Sequence, residues 1–175
     1  DPGDPDLEGP VYLVMEFLQG RTLTEVIEAD GPLPPNRAID FALQILDGLT
    51  AAHQAGVVHR DLKPDNIMLV VDEADEQSDR PGGPTIKLMD FGIARVRMDD
   101  DAETLTQAGE VYGTPHYMAP EQAAGDAVDR RADLYATGVI LFEMLSGRPP
   151  FDADRMTKVI SMHITEEIPA IRDAS

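Results

Sequence analysis

The stretch VVHRDLKPDN, residues 57–66, places two carboxylates, an amide, a histidine and two basic side chains within ten residues. Phosphoryl transfer needs an acceptor for a hydroxyl proton, positive charge on the moving phosphoryl group and oxygen ligands for magnesium. Asp61 can accept the proton or orient the nucleophile, Lys63 can reach the phosphate, and Asn66 offers a neutral oxygen to a hard cation. The stretch therefore predicts a catalytic centre for phosphoryl transfer.

A second carboxylate, Asp90 in DFG, follows Asp61 by 29 residues. Between the two, the apolar runs NIMLVV and TIKLMDF predict a β-hairpin, and its connection over residues 72–84 is acidic and rich in Pro and Gly. The two strands would return Asp90 to a position beside Asn66. Two oxygen ligands facing one base predict a magnesium–nucleotide site.

The composition limits the classes of function. A chain of 175 residues with 42% apolar residues predicts one globular domain. The net charge of −19 argues against binding to nucleic acids or acidic lipids, because the chain has no basic stripe to contact phosphates. The absence of Cys excludes disulfides and fits a cytoplasmic location. The longest apolar run, YATGVILFEML, is interrupted by Glu143 and is too short to span a bilayer.

The periodicity of apolar residues predicts an α+β, mostly helical fold. A strand is expected over residues 10–18, and a long loop over residues 93–118. Helices are expected over residues 22–29 (capped by Thr22 or Thr24), 33–56 (ended by Gly56), 130–147 (buried) and 155–164 (amphipathic).

The motifs HRDLKPDN, DFG and GTPHYMAPE, in this order, resemble the catalytic loop, the metal loop and the end of the activation segment of protein kinases. The similarity runs over residues 11–164, and YMAPEQ is most similar to bacterial Ser/Thr kinases of eukaryotic type. The resemblance implies a kinase large lobe with a short hinge strand and β-hairpins at the active site. It divides the chain into an acidic leader (1–10), a partial kinase domain (11–168) and a truncated tail (169–175).

The resemblance implies transfer of the γ-phosphoryl group of ATP to Ser or Thr of a protein, with Mg²⁺ or Mn²⁺ as cofactor. Lys63, followed by Pro64, is typical of kinases that act on Ser and Thr. In this family Asp61, Lys63 and Asn66 would be catalytic, and Asn66 and Asp90 would hold the metal.

The segment VMEFL resembles the hinge that binds adenine. Met15 would stand at the back of the adenine pocket, and the backbone of Glu16 and Leu18 would pair with the base. Met68 would lie beneath the adenine. Without the resemblance, both methionines would be interpreted as ordinary core residues.

Four further positions resemble the residues that support the site in kinases. His59 and Phe91 match a stacked pair that holds the catalytic and metal loops in register. Asp133 matches an aspartate that accepts hydrogen bonds from the catalytic-loop backbone. A helix N-cap would be equally good chemistry, but the loop anchor is favoured, because a cap alone does not explain the rest of the match. Glu121 matches a glutamate that pairs with an arginine, which is expected beyond residue 175.

Regulation is expected to depend on the activation segment. Arg60 would bind a phosphate there, because charge-assisted hydrogen bonds can order a loop. Thr106 is the predicted phosphorylation site, and Ala108 stands where relatives often have a second threonine. Thr114 would hydrogen-bond Asp61 and Lys63.

The sequence contains neither a G-x-G-x-x-G loop nor a lysine in a V-A-I-K context. We therefore expect half of a longer kinase, inactive in isolation, whose parent could be anchored in a membrane through segments outside this chain. Two alternatives stay open: a truncated or degenerate kinase lobe that acts as a docking module, and a small-molecule phosphotransferase. GTPHYMAPE argues against the latter, because a small acceptor needs no peptide-docking segment.

Overall fold

A computed structural model describes residues 14–70, 83–91 and 114–173. In these ranges helices hold most of the regular structure, beside one three-stranded sheet, so the predicted α+β, mostly helical class is confirmed. The elements are β1 (Gly20–Thr22), α1 (Leu23–Asp30), α2 (Pro35–Gln54), β2 (Ile67–Val70), β3 (Thr85–Leu88), α3 (Pro120–Ala124), α4 (Arg131–Ser146) and α5 (Met156–Thr165), with 3₁₀ turns at Pro64–Asn66, Pro115–Tyr117 and Ile171–Asp173.

The first strand begins later than the sequence predicts. Residues 14–19 are not in a strand, because no neighbouring strand among the described residues pairs with them; residues 10–13 lie outside the described ranges. β1 itself pairs antiparallel with β2, and Gly20 lies opposite Val70. A Cβ at Gly20 would come within 2.2 Å of the Leu69 carbonyl oxygen, so this close approach requires glycine.

Local capping positions α1. The Thr22 hydroxyl accepts a hydrogen bond from the Glu25 amide at 3.2 Å, and the Glu25 carboxylate accepts one from the Thr22 amide at 2.8 Å. This reciprocal capping box satisfies two backbone N–H groups that the first turn would otherwise leave without partners. Of the two predicted caps, Thr22 is therefore the correct one.

The C-terminal end of α2 sets the start of the loop that contains Asp61. Gly56 has a φ of 78°, as the predicted left-handed cap requires. The Gly56 amide donates to the His53 carbonyl at 3.0 Å, and the Val57 amide donates to the Ala52 carbonyl at 2.9 Å. These two bonds form a Schellman motif, which turns the chain sharply away from the helix.

The predicted hairpin is present. β2 and β3 pair antiparallel, with Ile67 opposite Leu88 and Val70 opposite Thr85. Gln44 of α2 fastens β3 to the helix layer, because its Oε1 accepts a hydrogen bond from the Ile86 amide at 3.0 Å. The acidic connection lies outside the described residues, except for residues 83 and 84.

The hydrophobic core lies between α2, α4, α1 and the sheet, and the predicted central position of α4 is confirmed. Gly147 ends α4 with a φ of 79°, and α5 follows as predicted. The largest fully buried apolar side chains are Phe41, Leu23, Ile45, Leu49, Ile67, Ile140, Met144 and Val159.

Candidate active site

Asp61, Lys63 and Asn66 lie together between the end of α2 and the start of β2. The Lys63 Nζ is 3.7 Å from the Asp61 Oδ2, and the Asn66 Nδ2 donates to the Asp61 carbonyl oxygen at 2.9 Å. The side chains of Asp61 and Lys63 are 38% and 22% exposed, whereas Asn66 is buried. A partly exposed carboxylate next to an ammonium can take a proton from a hydroxyl while the ammonium faces a phosphate.

A buried carboxylate holds the backbone of this loop. The Asp133 Oδ2 accepts a hydrogen bond from the His59 amide, and its Oδ1 accepts one from the Arg60 amide, each at 2.9 Å. The His53 Nε2 donates to the Asp133 Oδ2 at 2.6 Å. Asp133 is 1% exposed and lies inside α4, which begins at Arg131. Its contacts are therefore those of a loop anchor rather than of a helix N-cap.

Arg60 adopts a backbone conformation that is unfavourable for residues with a Cβ atom. Its φ is 64°, in the left-handed region, which costs a non-glycine residue about 1–2 kcal/mol. Asp90 has a φ of 53° and shares this feature. Such conformations persist only when surrounding contacts hold them, and they are common at active sites.

The hairpin brings Asp90 next to Asn66. The Met89 amide donates to the Asn66 carbonyl at 2.9 Å, directly before Asp90 in the chain. Because the Asn66 Nδ2 is already bonded to the Asp61 carbonyl, its Oδ1 is the atom left for a cation. Asp90 is exposed and adds carboxylate oxygens. This donor set fits Mg²⁺, which prefers oxygen ligands and keeps several waters.

His59 connects the catalytic loop to the DFG segment. Its ring centroid is 4.6 Å from that of Phe91, and its Nε2 donates to the Met89 carbonyl at 3.0 Å. Burial lowers the pKa of His59, while the nearby Asp133 carboxylate opposes that shift. With Nε2 carrying the proton, the neutral ring leaves Nδ1 as a lone pair, and Nδ1 is buried without a hydrogen-bond partner among the described residues.

The hinge positions are less enclosed than predicted. Met15 is 61% exposed, so the described residues do not form the back of a pocket around it, whereas Met68 is buried at 9%. Leu18 is half-buried. The Glu16 carboxylate accepts two hydrogen bonds from the Lys87 ammonium, at 3.1 and 3.0 Å, which connect the segment that resembles a hinge to β3.

The Pro115–Tyr117 turn packs against α4 and α5, and α3 packs against α5; these residues resemble the end of an activation segment. Thr114 lines the same cleft as Asp61, but no hydrogen bond joins Thr114 to Asp61 or Lys63 in the described part of the chain, contrary to the prediction. Glu121 is half-buried, and its pairing with an arginine beyond residue 175 stays a prediction. Thr106 lies outside the described residues.

Sequence reasoning missed a partly buried hydrogen bond between this segment and α4. The Tyr117 hydroxyl donates to the Glu143 Oε2 at 2.7 Å. Burial raises the pKa of Glu143, and burial followed by Glu143 itself raises the pKa of Tyr117. The signal was available, because a lone acid inside the apolar run YATGVILFEML predicts a polar partner.

Sequence reasoning also missed the two hydrogen bonds of the Gln122 side chain. Its Nε2 donates to the Arg60 carbonyl at 2.8 Å, while its Oε1 accepts from the Ala119 amide at 3.0 Å. The Gln three residues after the N-cap is half of a capping box, but Ala119 in place of Ser or Thr hides the pattern.

Two findings concern membranes and metals. No helix in residues 14–70, 83–91 or 114–173 is long and apolar enough to cross a bilayer. Over the same residues, no cluster of three or more His, Asp or Glu side chains could hold a metal ion. The pair formed by Asn66 and Asp90 is smaller than such a cluster.

The mostly helical fold with one small sheet is consistent with a protein kinase domain. A family model described as the protein kinase domain matches residues 6–174, so the chain belongs to this family. The chain is 42% identical over 160 residues to the serine/threonine-protein kinase PknB of Mycobacterium leprae, which covers 91% of this chain and 24% of that protein.

Two other relatives are similarly close. The serine/threonine-protein kinase pkn3 of Myxococcus xanthus is 42% identical over 163 residues, covering 93% of this chain and 28% of the relative. A probable serine/threonine-protein kinase PknB of Bifidobacterium longum is 43% identical over 161 residues, covering 92% of this chain and 22% of the relative. The chain thus spans about a quarter of the length of the curated relatives it matches.

Proposed function

We propose that the chain forms the hinge and large lobe of a protein Ser/Thr kinase that transfers the γ-phosphoryl group of ATP to a protein hydroxyl. Two contacts support this proposal: the Asn66 side chain donates to the Asp61 carbonyl, and the Met89 amide, directly before Asp90, donates to the Asn66 carbonyl. The proposed base, Asp61, and the proposed oxygen ligands, Asn66 and Asp90, would therefore lie close to one another. The relatives' names support Ser and Thr as acceptors.

In the proposed reaction the acceptor hydroxyl oxygen forms a bond to the γ-phosphorus, and the bond between the γ-phosphorus and the β–γ bridging oxygen breaks. The Asp61 carboxylate takes the hydroxyl proton, and ADP departs with the bond electrons. Lys63 would place positive charge beside the transferred group. The group is transferred to the hydroxyl that Asp61 binds, and the Lys63 Nζ lies 3.7 Å from the Asp61 carboxylate. A bound Mg²⁺ would neutralise phosphate charge, and Asn66 and Asp90 would hold it.

Nucleotide positioning would depend on the hinge and the sheet. Glu16 and Leu18 would pair with adenine through their backbone, and Met68 would form an apolar surface below the base. Arg60 would respond to phosphorylation of Thr106. The phosphate loop and strand lysine of the family are not among the 175 residues, so we propose that this lobe is active only within a longer kinase.

The test compares single variants in the complete kinase that contains this chain, using radiolabelled ATP, Mg²⁺ and a Ser/Thr-rich acceptor protein. Asp61→Asn should abolish transfer and largely spare ATP affinity, whereas Asp90→Asn should weaken Mg²⁺-dependent ATP binding itself. Asp65→Asn, an equal charge change at an exposed position in the same loop, is the control. Nucleotide binding without transfer in the wild type would favour a docking module, and equal small effects of Asp61→Asn and Asp90→Asn would refute the roles assigned here.

A further inference from the structure

Gln122 connects two parts of the site that are far apart in sequence. It lies in α3, which ends the activation segment, and its side chain reaches the catalytic loop 62 residues earlier in the chain. We propose that Gln122 is a positioning residue that holds the strained Arg60 backbone, and through it Asp61, in the orientation needed for transfer. This proposal rests on the proposed kinase function.

The backbone of Arg60 is clamped on both sides. Its amide donates to the Asp133 Oδ1 at 2.9 Å, and its carbonyl accepts from the Gln122 Nε2 at 2.8 Å. Arg60 has a φ of 64°, and these two bonds help to hold the chain away from the more common negative φ. Because the Arg60 carbonyl and the Asp61 amide belong to one peptide plane, releasing that carbonyl would rotate the backbone that carries the catalytic carboxylate.

The two Gln122 contacts need one acceptor and one donor, which an amide side chain supplies and an ionised carboxylate does not. The Ala119 amide is a donor and needs an acceptor, which is the Gln122 Oε1 at 3.0 Å. The Arg60 carbonyl is an acceptor and needs a donor, which is the Gln122 Nε2. A carboxylate of the same shape would keep the first contact and place a negative oxygen against the Arg60 carbonyl. Gln122→Glu therefore separates loop positioning from the capping of α3.

Asp61, Thr114 and Gln122 line one cleft. The hydrogen bond between Gln122 and Arg60 therefore lies next to the proposed catalytic carboxylate of Asp61 and not at the proposed adenine site around Met68. We therefore expect Gln122 to affect the rate of transfer more than the affinity for ATP. A side chain that only stabilised α3 would instead affect the binding of the acceptor.

The first experiment measures kcat and both KM values for wild type and Gln122→Glu in the complete kinase between pH 5.5 and 8. At pH 8 the variant should have a kcat about tenfold lower, because a partly buried carbonyl loses its donor and faces a negative charge. The KM for ATP should be unchanged. The facing Arg60 carbonyl oxygen and the partial burial disfavour a charged carboxylate, so they raise the pKa of the introduced carboxyl above its usual range. As the pH falls toward 5.5, its protonation restores a donor to the Arg60 carbonyl, so the ratio of variant to wild-type kcat should rise.

The matched control is Gln54→Glu, the same substitution at an exposed position at the end of α2. Its ratio to the wild-type kcat should be near one and independent of pH. A Gln122→Glu variant with wild-type kcat, or with only a raised acceptor KM, would overturn the proposal.

A second experiment needs no activity. Hydrogen exchange of backbone amides at residues 57–63 is measured in the 175-residue chain for wild type, Gln122→Glu and Gln54→Glu. Only Gln122→Glu should exchange several-fold faster there, and equal exchange in all three proteins would overturn the proposal. If the wild-type kinase transfers no phosphate, the proposed function fails, while the exchange result still decides whether Gln122 holds the loop.

Discussion

Replacing Asp133 by Asn tests how strongly a single buried carboxylate holds the catalytic loop. The two Asp133 oxygens accept hydrogen bonds from the His59 and Arg60 amides, both at 2.9 Å, and one oxygen also accepts from the His53 Nε2 at 2.6 Å. Asn offers one acceptor oxygen and presents an NH₂ group where the second oxygen was. At least one backbone N–H therefore faces another donor and loses its partner.

The magnitude follows from these contacts. A hydrogen bond to a charged group contributes about 1.5–3 kcal/mol, and a buried N–H without a partner costs about 1–3 kcal/mol. At 1% exposure, water cannot replace the lost acceptor. We expect Asp133→Asn to lower the free energy of unfolding by roughly 3–5 kcal/mol, a large share of the ~5–15 kcal/mol typical of a domain.

The assay is urea unfolding of the 175-residue chain, followed by far-UV circular dichroism. With a urea dependence of about 2 kcal/mol per M, the midpoint should fall by about 2 M. His53→Ala removes only one of the three donors and should cost less, about 1–2 kcal/mol. Asp126→Asn, in the loop before the same helix and exposed, should leave the midpoint unchanged within error. A loss below about 1 kcal/mol for Asp133→Asn would refute the reasoning.

Two further predictions concern Glu143 and the hinge. A carboxyl whose pKa is raised in the folded state contributes stability below its unfolded pKa, and that stability is lost as the pH rises through the folded-state value. Glu143→Gln is the matched variant, because its side chain still accepts a hydrogen bond from the Tyr117 hydroxyl and does not ionise. In urea unfolding, the wild type should lose stability relative to this variant as the pH rises from 5.5 to 8. A difference in stability that stays constant over this range would contradict the prediction. For the exposed pair of Lys87 and Glu16, a double-mutant cycle to Ala should give a coupling of about 0.2–1 kcal/mol that shrinks in 1 M salt, and a salt-independent coupling would contradict an ionic contact.

Much of the fold could be predicted because its signals are local. The ends of α1 and α2 depend on Thr22 and Gly56, whose hydrogen bonds reach only a few residues along the chain. The strand predicted over residues 10–18 was wrong where the structure describes it, because strand formation depends on a pairing partner as well as on composition. Apolar and β-branched residues cannot by themselves distinguish a paired strand from the exposed segment that contains Val14 and Phe17.

Some parts of the candidate site could likewise be predicted from the sequence, and others could not. Asp61, Lys63 and Asn66 could be predicted because they lie on one short loop, and Asp90 because a hairpin returns the chain in antiparallel register. The roles of these residues stay predictions. The pairing of Thr114 with Asp61 and Lys63 was expected from the resemblance, and the described structure does not contain it.

By itself, the sequence determined the chemical groups of the catalytic loop, the ends of the helices and the hairpin, because each depends on residues that are close in the chain or on a simple antiparallel return. Only the tertiary structure decided which distant groups meet: Asp133 with the His59 amide 74 residues earlier, Gln122 with the Arg60 carbonyl, and Glu143 with Tyr117. These contacts depend on how α3 and α4 pack against the loop. Hydrophobic periodicity shows which face of a helix is buried, but not which polar group that face will meet.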